Sequence, residues 1–199
     1  MLRRRGERWR RAVSLCAYNL HCLCLSDRVI RDVRRVLASE GPGGLRVDDL
    51  VRDDLPFLGW SGGSAHLATV ERALARVESG EVEYLVVRAP SGYPIAKGGI
   101  DYAVTPAIGT LSQLATADEL RGLGIGAHLI AVAEGRMRER GVRTAELAVE
   151  DDNPRARALY ERLGYQADVR RESASWYVED ADGNLVLYET ELAVLRKDL

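Results

Sequence analysis

The stretch LRGLGIGAHLIAVAEGRMRERG, residues 120–141, constrains this chain more than any other: Gly122, Gly124 and Gly126 recur at every second position and run directly into apolar residues at helical spacing. Ile125, Leu129, Ile130, Ala133 and Met137 fall on one face of a helix, Glu134, Arg138 and Arg140 on the other, and Gly141 ends it. A helix entered through glycines presents free backbone N–H groups and a partial positive charge to whatever can approach, so the turn predicts an anion site, with a phosphate the natural occupant. Gly122, Gly124 and Ala127 also fit the letters of a dinucleotide-binding turn, but the context opposes that reading. Residues 115–121 separate the preceding strand from the first glycine. The acid expected about 20 positions later is misplaced, because Glu146 and Glu150 fall further on, in the next strand. No Gly-Lys-Ser/Thr follows, which removes a phosphate-binding P-loop.

Around this turn the 199 residues suit one domain with one core. A short strand, GLRVDDL, is followed by helical material broken at Pro56 and at Gly62–Gly63 and closed at Gly80, in which Leu67, Val70, Leu74 and Val77 should face the core. Strand runs at residues 83–88, 95–102 and 109–115 form an antiparallel meander. The glycine-entered helix comes next, then the alternating strand RTAELAVE, then a helix with Asn153 as N-cap, Pro154 in its first turn and Gly164 as its stop. Strand runs at residues 175–179 and 185–192 flank the tight turn DADGN. Mixed order of this kind predicts an α/β or α+β layer fold, with helices packed on a largely antiparallel sheet.

The amino-terminal end is a different object. Residues 1–35 hold ten arginines against Glu7, Asp27 and Asp32, a charge of +7 in a chain whose total is −2, so the remainder carries −9. The apolar run from Ala12 to Leu25 outlines a secretory signal, but Asn19 and His21 interrupt it and no convincing cleavage site follows; it is also too short to span a bilayer as a helix. The sequence therefore reads as a basic extension over residues 1–44, ending in GPGG, and a folded domain over 45–199. Cys16, Cys22 and Cys24 all lie in the extension with His21 among them, and no second ligand pair follows, so no metal is expected. A domain without cysteine points to a reducing, cytoplasmic setting. No aromatic or repeated basic pattern calls for nucleic acid, and no membrane association is expected.

A second motif sharpens the first. NPRARALYERLGYQ, residues 153–166, places Asn153, Ala156, Leu159, Tyr160, Gly164 and Tyr165 at the spacing N-x-x-A-x-x-L-Y-x-x-x-G-Y. Together with RGLGIG, residues 121–126, it resembles the GNAT superfamily of N-acetyltransferases, whose acetyl-coenzyme A signature is Q/R-x-x-G-x-G/A. The resemblance spans roughly residues 45–195. It implies a mostly antiparallel sheet in which the strands ending near Ala115 and Glu150 run parallel and splay apart, with the pantetheine arm of acetyl-CoA in the gap. It further implies that backbone groups of Leu114 and Ala115 meet pantetheine, that N–H groups of Arg121, Gly122, Leu123, Gly124, Ile125, Gly126 and Ala127 cradle the pyrophosphate, and that Asn153 is a further contact. A homodimer is compatible with the family.

The expected chemistry is direct transfer of acetyl from thioester to a primary amine of a small molecule or peptide, without a covalent enzyme intermediate, since the domain has no cysteine nucleophile. The amine must first lose a proton that an alkylammonium releases only near pH ~10. By the resemblance Tyr160 is the acid that protonates the leaving sulfur and adjoins the cofactor. Some family members carry a glutamate twelve positions before this tyrosine, where this chain has Ala148. Glu146 and Glu150 flank Ala148 on the same strand face and are the candidate bases, with Asp101 a weaker one and ordered water an alternative. Ala148 also keeps open a second reading, a CoA-binding module without turnover. Trp60, Tyr93, Tyr102, Trp176 and Tyr177 are candidates for an acceptor pocket, and His66 and His128 have no recognisable partner.

Overall fold

The computed structural model describes residues 25–105, 107–180 and 184–199. The cysteines, His21 and the signal-like run therefore lie outside the described residues, apart from Leu25. Seven strands form one sheet in the order β1-β2-β3-β4-β5-β7-β6: β1 Arg46–Asp49, β2 Val82–Arg88, β3 Pro94–Asp101, β4 Ile108–Thr116, β5 Thr144–Glu150, β6 Gln166–Glu179 and β7 Leu185–Asp198. Every neighbouring pair is antiparallel except β4 with β5. The expected mixed, mostly antiparallel sheet with helices upon it is what the chain forms.

Helices α1 (Asp27–Glu40), α2 (Ser64–Leu74), α3 (Ile125–Glu139) and α4 (Pro154–Arg162) cover the sheet. Strand β2 shows why two layers form. Leu85 and Val87 join a core with Val33 of α1 and Ile125, Leu129, Ile130, Ala133 and Met137 of α3, whereas Val82, Tyr84 and Val86 join another with Val70 and Leu74 of α2. Alternation along a strand buried on both sides sends successive residues to opposite faces. Among the described residues no helix is long and apolar enough to cross a membrane.

Three sequence expectations need correction. The boundary expected at residues 41–44 is not a break in packing: Val33 is 0 % exposed within the main core, and Pro42 lies where a Cβ on Gly124 would come within 3.0 Å of it. Residues 25–44 are thus part of the same packed unit, because α1 is amphipathic and the sheet offers its apolar side a surface. Helix α2 ends at Leu74, one turn early, and Val77 is exposed. Strand β6 begins at Gln166 instead of residue 175, and β7 continues to Asp198. The extra length of β6 carries Arg170, Arg171 and Glu172, whose charges are met by Glu146, Asp151 and each other, so no apolar alternation marks it.

Glu134 is also misplaced by helical periodicity. It is buried, with its carboxylate oxygens 2.7 and 2.8 Å from Lys197 Nζ and accepting from the Tyr165 hydroxyl at 3.1 Å. Removing one partner of a buried ion pair leaves an uncompensated charge. Lys197→Met is expected to lower the free energy of unfolding by about 3 kcal/mol, near the low end for such pairs because Arg138 and Tyr165 remain beside Glu134. Urea titration checks it, and a change below about 0.5 kcal/mol, the size of an ordinary surface substitution, would show the pair to be dispensable.

Candidate active site

The site starts where two parallel strands part. Ile108–Leu111 of β4 pair with Thr144–Leu147 of β5, and the register stops there although β4 continues to Thr116 and β5 to Glu150. One residue further on, after Ser112, the β3–β4 register shifts: Ser112 faces Gly99 and Ala115 faces Lys97, leaving Gln113 and Leu114 opposite Gly98. Gln113 takes up the extra residue with φ of 52°, in the left-handed region that non-glycine residues rarely occupy. The segment containing Leu114 and Ala115 is no longer paired with β5, which leaves a gap in the ladder between the strand ends.

At the mouth of that gap stands the amino terminus of α3. Its N-cap is Gly124 with φ of 82°, Gly122 has φ of 81°, and among the described residues no side chain caps the helix. Both glycines are required by positive φ, and a Cβ on Gly122 would come within 3.2 Å of an Arg155 guanidinium nitrogen. The Arg121 side chain is turned back, donating to the Thr116 carbonyl at 3.2 Å and pairing with Asp118 at 2.5 Å. It braces the loop, so the N–H groups of the turn and of Ile125, Gly126 and Ala127 are what a diphosphate could use. His128 is structural: its Nε2 lies 3.1 Å from the Leu45 carbonyl, tying α3 to the start of β1.

Across the gap, Asn153 caps α4 by accepting from the Ala156 N–H at 3.1 Å, which leaves its amide N–H groups for a ligand. Tyr160 is 9 % exposed, with its ring edge-on to Tyr165 at 6.2 Å between centroids, and burial raises its hydroxyl above the ordinary phenol value. The Tyr165 hydroxyl is fixed by Glu134, so the ion pair of α3 with β7 also steadies the ring against which Tyr160 packs.

The candidate bases separate cleanly. Glu146 is 2 % exposed and clamped, accepting from Arg170 at 2.8 Å on each oxygen and from Arg196 at 2.6 Å. Its hydrogen bonds to Arg170 hold the carboxyl below the usual range, and it sits before the point of splaying, so the structure does not bring it to the gap. Asp101 is bound to Arg76 through both oxygens, at 2.6 and 3.2 Å. Glu150, by contrast, lies at the end of β5 beyond Leu147, half-buried, with the Tyr188 hydroxyl 3.3 Å from Oε2. Burial, then the nearby Asp152 carboxylate, push its carboxyl above the ordinary value. Ala148 between them is exposed.

Of the aromatic candidates, Tyr102 is held by Glu83 and Arg140, Tyr93 stacks edge-on with Phe57, and Trp176 packs on Tyr188. Trp60 is half-buried between the two cores, and its buried Nε1–H has no hydrogen-bond partner among the described residues. One residue of the region went unread in the sequence, Lys97, and it supplies the partner that His66 lacked there: their Nζ and Nε2 atoms are 3.1 Å apart. The available signal was a lone lysine inside PIAKGGID, a strand buried on both faces.

The model of the acetyltransferase (GNAT) family matches residues 53–165, more than half of the chain, and the protein belongs to that family. Over 76 residues it is 37 % identical to a mycothiol acetyltransferase from Corynebacterium aurimucosum, a match covering 38 % of this chain and 24 % of that protein. The chain thus aligns with only about a quarter of that relative's length. Among solved structures, the ribosomal-protein-S18-alanine N-acetyltransferase of Escherichia coli superposes with a TM-score of 0.59 at 21 % identity, covering 77 % of this chain and 93 % of that one. An N-acetyltransferase, PaiA of Thermoplasma acidophilum, in complex with coenzyme A gives 0.56 at 15 % identity, covering 78 % and 99 %. These likenesses concern the fold.

Proposed function

We propose that the protein is an acetyl-CoA-dependent N-acetyltransferase that moves the acetyl group directly to a primary amine. The observation that carries this reading is the joining of a splayed β4–β5 gap to an uncapped, glycine-entered helix terminus with Tyr160 beside it. Glycine cradles a Cβ would fill and N–H groups lacking a capping side chain fit a diphosphate. Backbone of Leu114 and Ala115 on the turned edge of β4 would hold the pantetheine arm, and Asn153 would add an amide donor. Acetyl-CoA supplies an activated acyl group. Glu150 takes the ammonium proton, directly or through water, and Tyr160 keeps its own until it gives it to the departing sulfur. The acceptor is a cation before transfer, and residues 36–199 carry a charge of −9, which favours its approach.

The test is release of free thiol from acetyl-CoA with a panel of polyamines, amino acids, peptide amino termini, lysine peptides and amine antibiotics. Turnover on any of them supports the reading, whereas tight cofactor binding with no turnover across the panel favours a binding module. The base makes its own prediction. Glu150 holds its proton to higher pH than a free glutamate, so kcat/KM should climb with pH through a limb displaced upward from the ordinary carboxylate range. In Glu150→Gln that limb should vanish with a loss of about 10²-fold, typical of removing a general base; an unchanged profile would assign the proton to water instead.

A further inference from the structure

Lys97 of β3 is 0 % exposed, yet among the described residues none of its hydrogen-bond partners is negatively charged. Its Nζ lies 3.1 Å from the Gln113 carbonyl, 3.2 Å from the Tyr84 hydroxyl and 3.1 Å from His66 Nε2. The Tyr84 hydroxyl gives its own hydrogen to Gln113 Oε1 at 2.8 Å, so toward Lys97 it can only accept. The carbonyl accepts as well. Those two oxygens take both hydrogens of a neutral amine, and the remaining lone pair is matched by an Nε2–H on His66. Burial lowers Lys97 to about 7, and burial followed by the lysine's charge lowers His66 to about 4, so the imidazole is neutral at neutral pH and the amine passes between its two states there. Were Lys97 protonated, its third hydrogen would still find Nε2 in the other imidazole tautomer. In either state the N–H to Gln113 is kept.

What this cluster grips is the bulge. Gln113 is the residue with φ of 52°, it comes two positions after the last β4–β5 pair, and it is held at both ends: main chain by Lys97, side chain by Tyr84 and by a bond from Nε2 to Thr69 Oγ1 at 3.1 Å. A left-handed glutamine persists only where its surroundings over-determine it. A methionine would fill the lysine's space without burying an amine. The distinguishing contribution of Lys97 is its hydrogen bond to that carbonyl.

We propose that Lys97, backed by His66 of α2, is a positioning residue of the acyl-transfer cleft: by holding the Gln113 carbonyl it sets the bulge at which β4 turns from β5, and so the shape of the channel for the pantetheine arm. The inference rests on the reading of the gap as an acetyl-CoA site. It predicts an effect confined to one part of the ligand, because Lys97, Tyr84 and Thr69, which hold Gln113, all lie outside the glycine turn that would take the phosphates.

Calorimetry on the full chain with acetyl-CoA and with its nucleotide fragment, 3′-phospho-ADP, tests this. Lys97→Met is expected to weaken acetyl-CoA at least tenfold and leave 3′-phospho-ADP within threefold. Adding Gln113→Gly, which makes the left-handed backbone intrinsically favourable, should bring acetyl-CoA back to within threefold of wild type. Unchanged acetyl-CoA affinity, a parallel loss of both ligands, or no recovery in the double variant overturns the proposal. Should Lys97→Met not fold, Tyr84→Phe releases Gln113 Oε1 and one acceptor of Lys97; the same split, threefold or more, is expected, and its absence is equally fatal. Wild-type protein that binds neither ligand overturns the reading of the site and this inference together. Binding without acetylation of any amine removes only the amine-transfer reading, since affinity is the readout here.

Discussion

Gly126→Asp is expected to cost the protein about 100-fold or more in affinity for acetyl-CoA, some 2.7 kcal/mol, while its melting temperature stays the same or rises. The two effects have opposite signs because one physical feature serves both. Gly126 lies in the first turn of α3, where a carboxylate is attracted to the helix amino terminus by about 0.3–1 kcal/mol, and replacing a helical glycine by aspartate adds roughly 0.3 kcal/mol of helix propensity. An added Cβ would meet Thr116 Oγ1 at 3.5 Å and Leu159 Cδ2 at 3.9 Å, ordinary contacts. The substituted carboxylate, however, takes the place and the charge intended for the diphosphate. Gly126→Asn separates bulk from charge: it should retain at least tenfold more affinity than the aspartate. Thermal unfolding and calorimetry read the pair, and an aspartate variant that binds acetyl-CoA within threefold of wild type would move the phosphates to another part of the molecule.

That prediction rests on a feature visible in the sequence, and the contrast with Lys97 shows where visibility ends. Glycines at 122 and 124 can be read because positive φ and close approach are local demands that one residue type meets. Asn153 and Pro154 are legible for the same reason, as a cap and a first-turn proline whose effects reach three or four positions. The order of strands and helices follows from periodicity, which is also local. Buried polar groups are different, because what makes them tolerable is a partner far away in the chain. Glu134 looks like a solvent-facing helix residue until Lys197 and Tyr165 are brought to it, and Glu146 looks like a free acid on an open strand face until Arg170 and Arg196 close on it. Lys97 meets His66, Tyr84 and Gln113 from three other elements. In each case the charge pattern alone points toward water, and only the pairing of strands and helices reverses it. The early half of β6 was hidden by the same effect, since arginines that pair across the sheet do not alternate with apolar residues.

The distinction also decides which glutamate can work. A carboxylate held by two guanidinium groups, as Glu146 is through three hydrogen bonds, is favoured in its ionised form, so it has little reason to take a proton from an amine. A carboxylate raised by burial and by a neighbouring acid is the better base at neutral pH. Glu150 and Glu146 lie on one strand face, four residues apart, and their surroundings drive them in opposite directions.

Tyr160→Phe is expected to lower kcat by roughly 10²–10³-fold, the range for loss of a general acid, with the affinity for acetyl-CoA changed less than threefold. The argument begins with what the ring does apart from its hydroxyl. It is buried, packed edge-on to Tyr165 and part of the main core, and phenylalanine keeps all of that. Stability should therefore shift by no more than about 1 kcal/mol, as for a hydrogen bond gained or lost. Burial raises the phenol, so its proton is retained from the pH at which Glu150 ionises up to the phenol's own raised limit, and within that window acid and base are charged correctly together. A thiolate leaves from a tetrahedral centre more readily when a proton arrives with it, and that benefit exists only in the transition state, which is why the loss should fall on kcat and spare binding. Stopped-time assays at saturating acetyl-CoA, paired with calorimetry of the same preparations, measure the two quantities. Parallel losses would make Tyr160 a packing residue whose hydroxyl is incidental, and an unchanged kcat would mean that the sulfur leaves as a free thiolate.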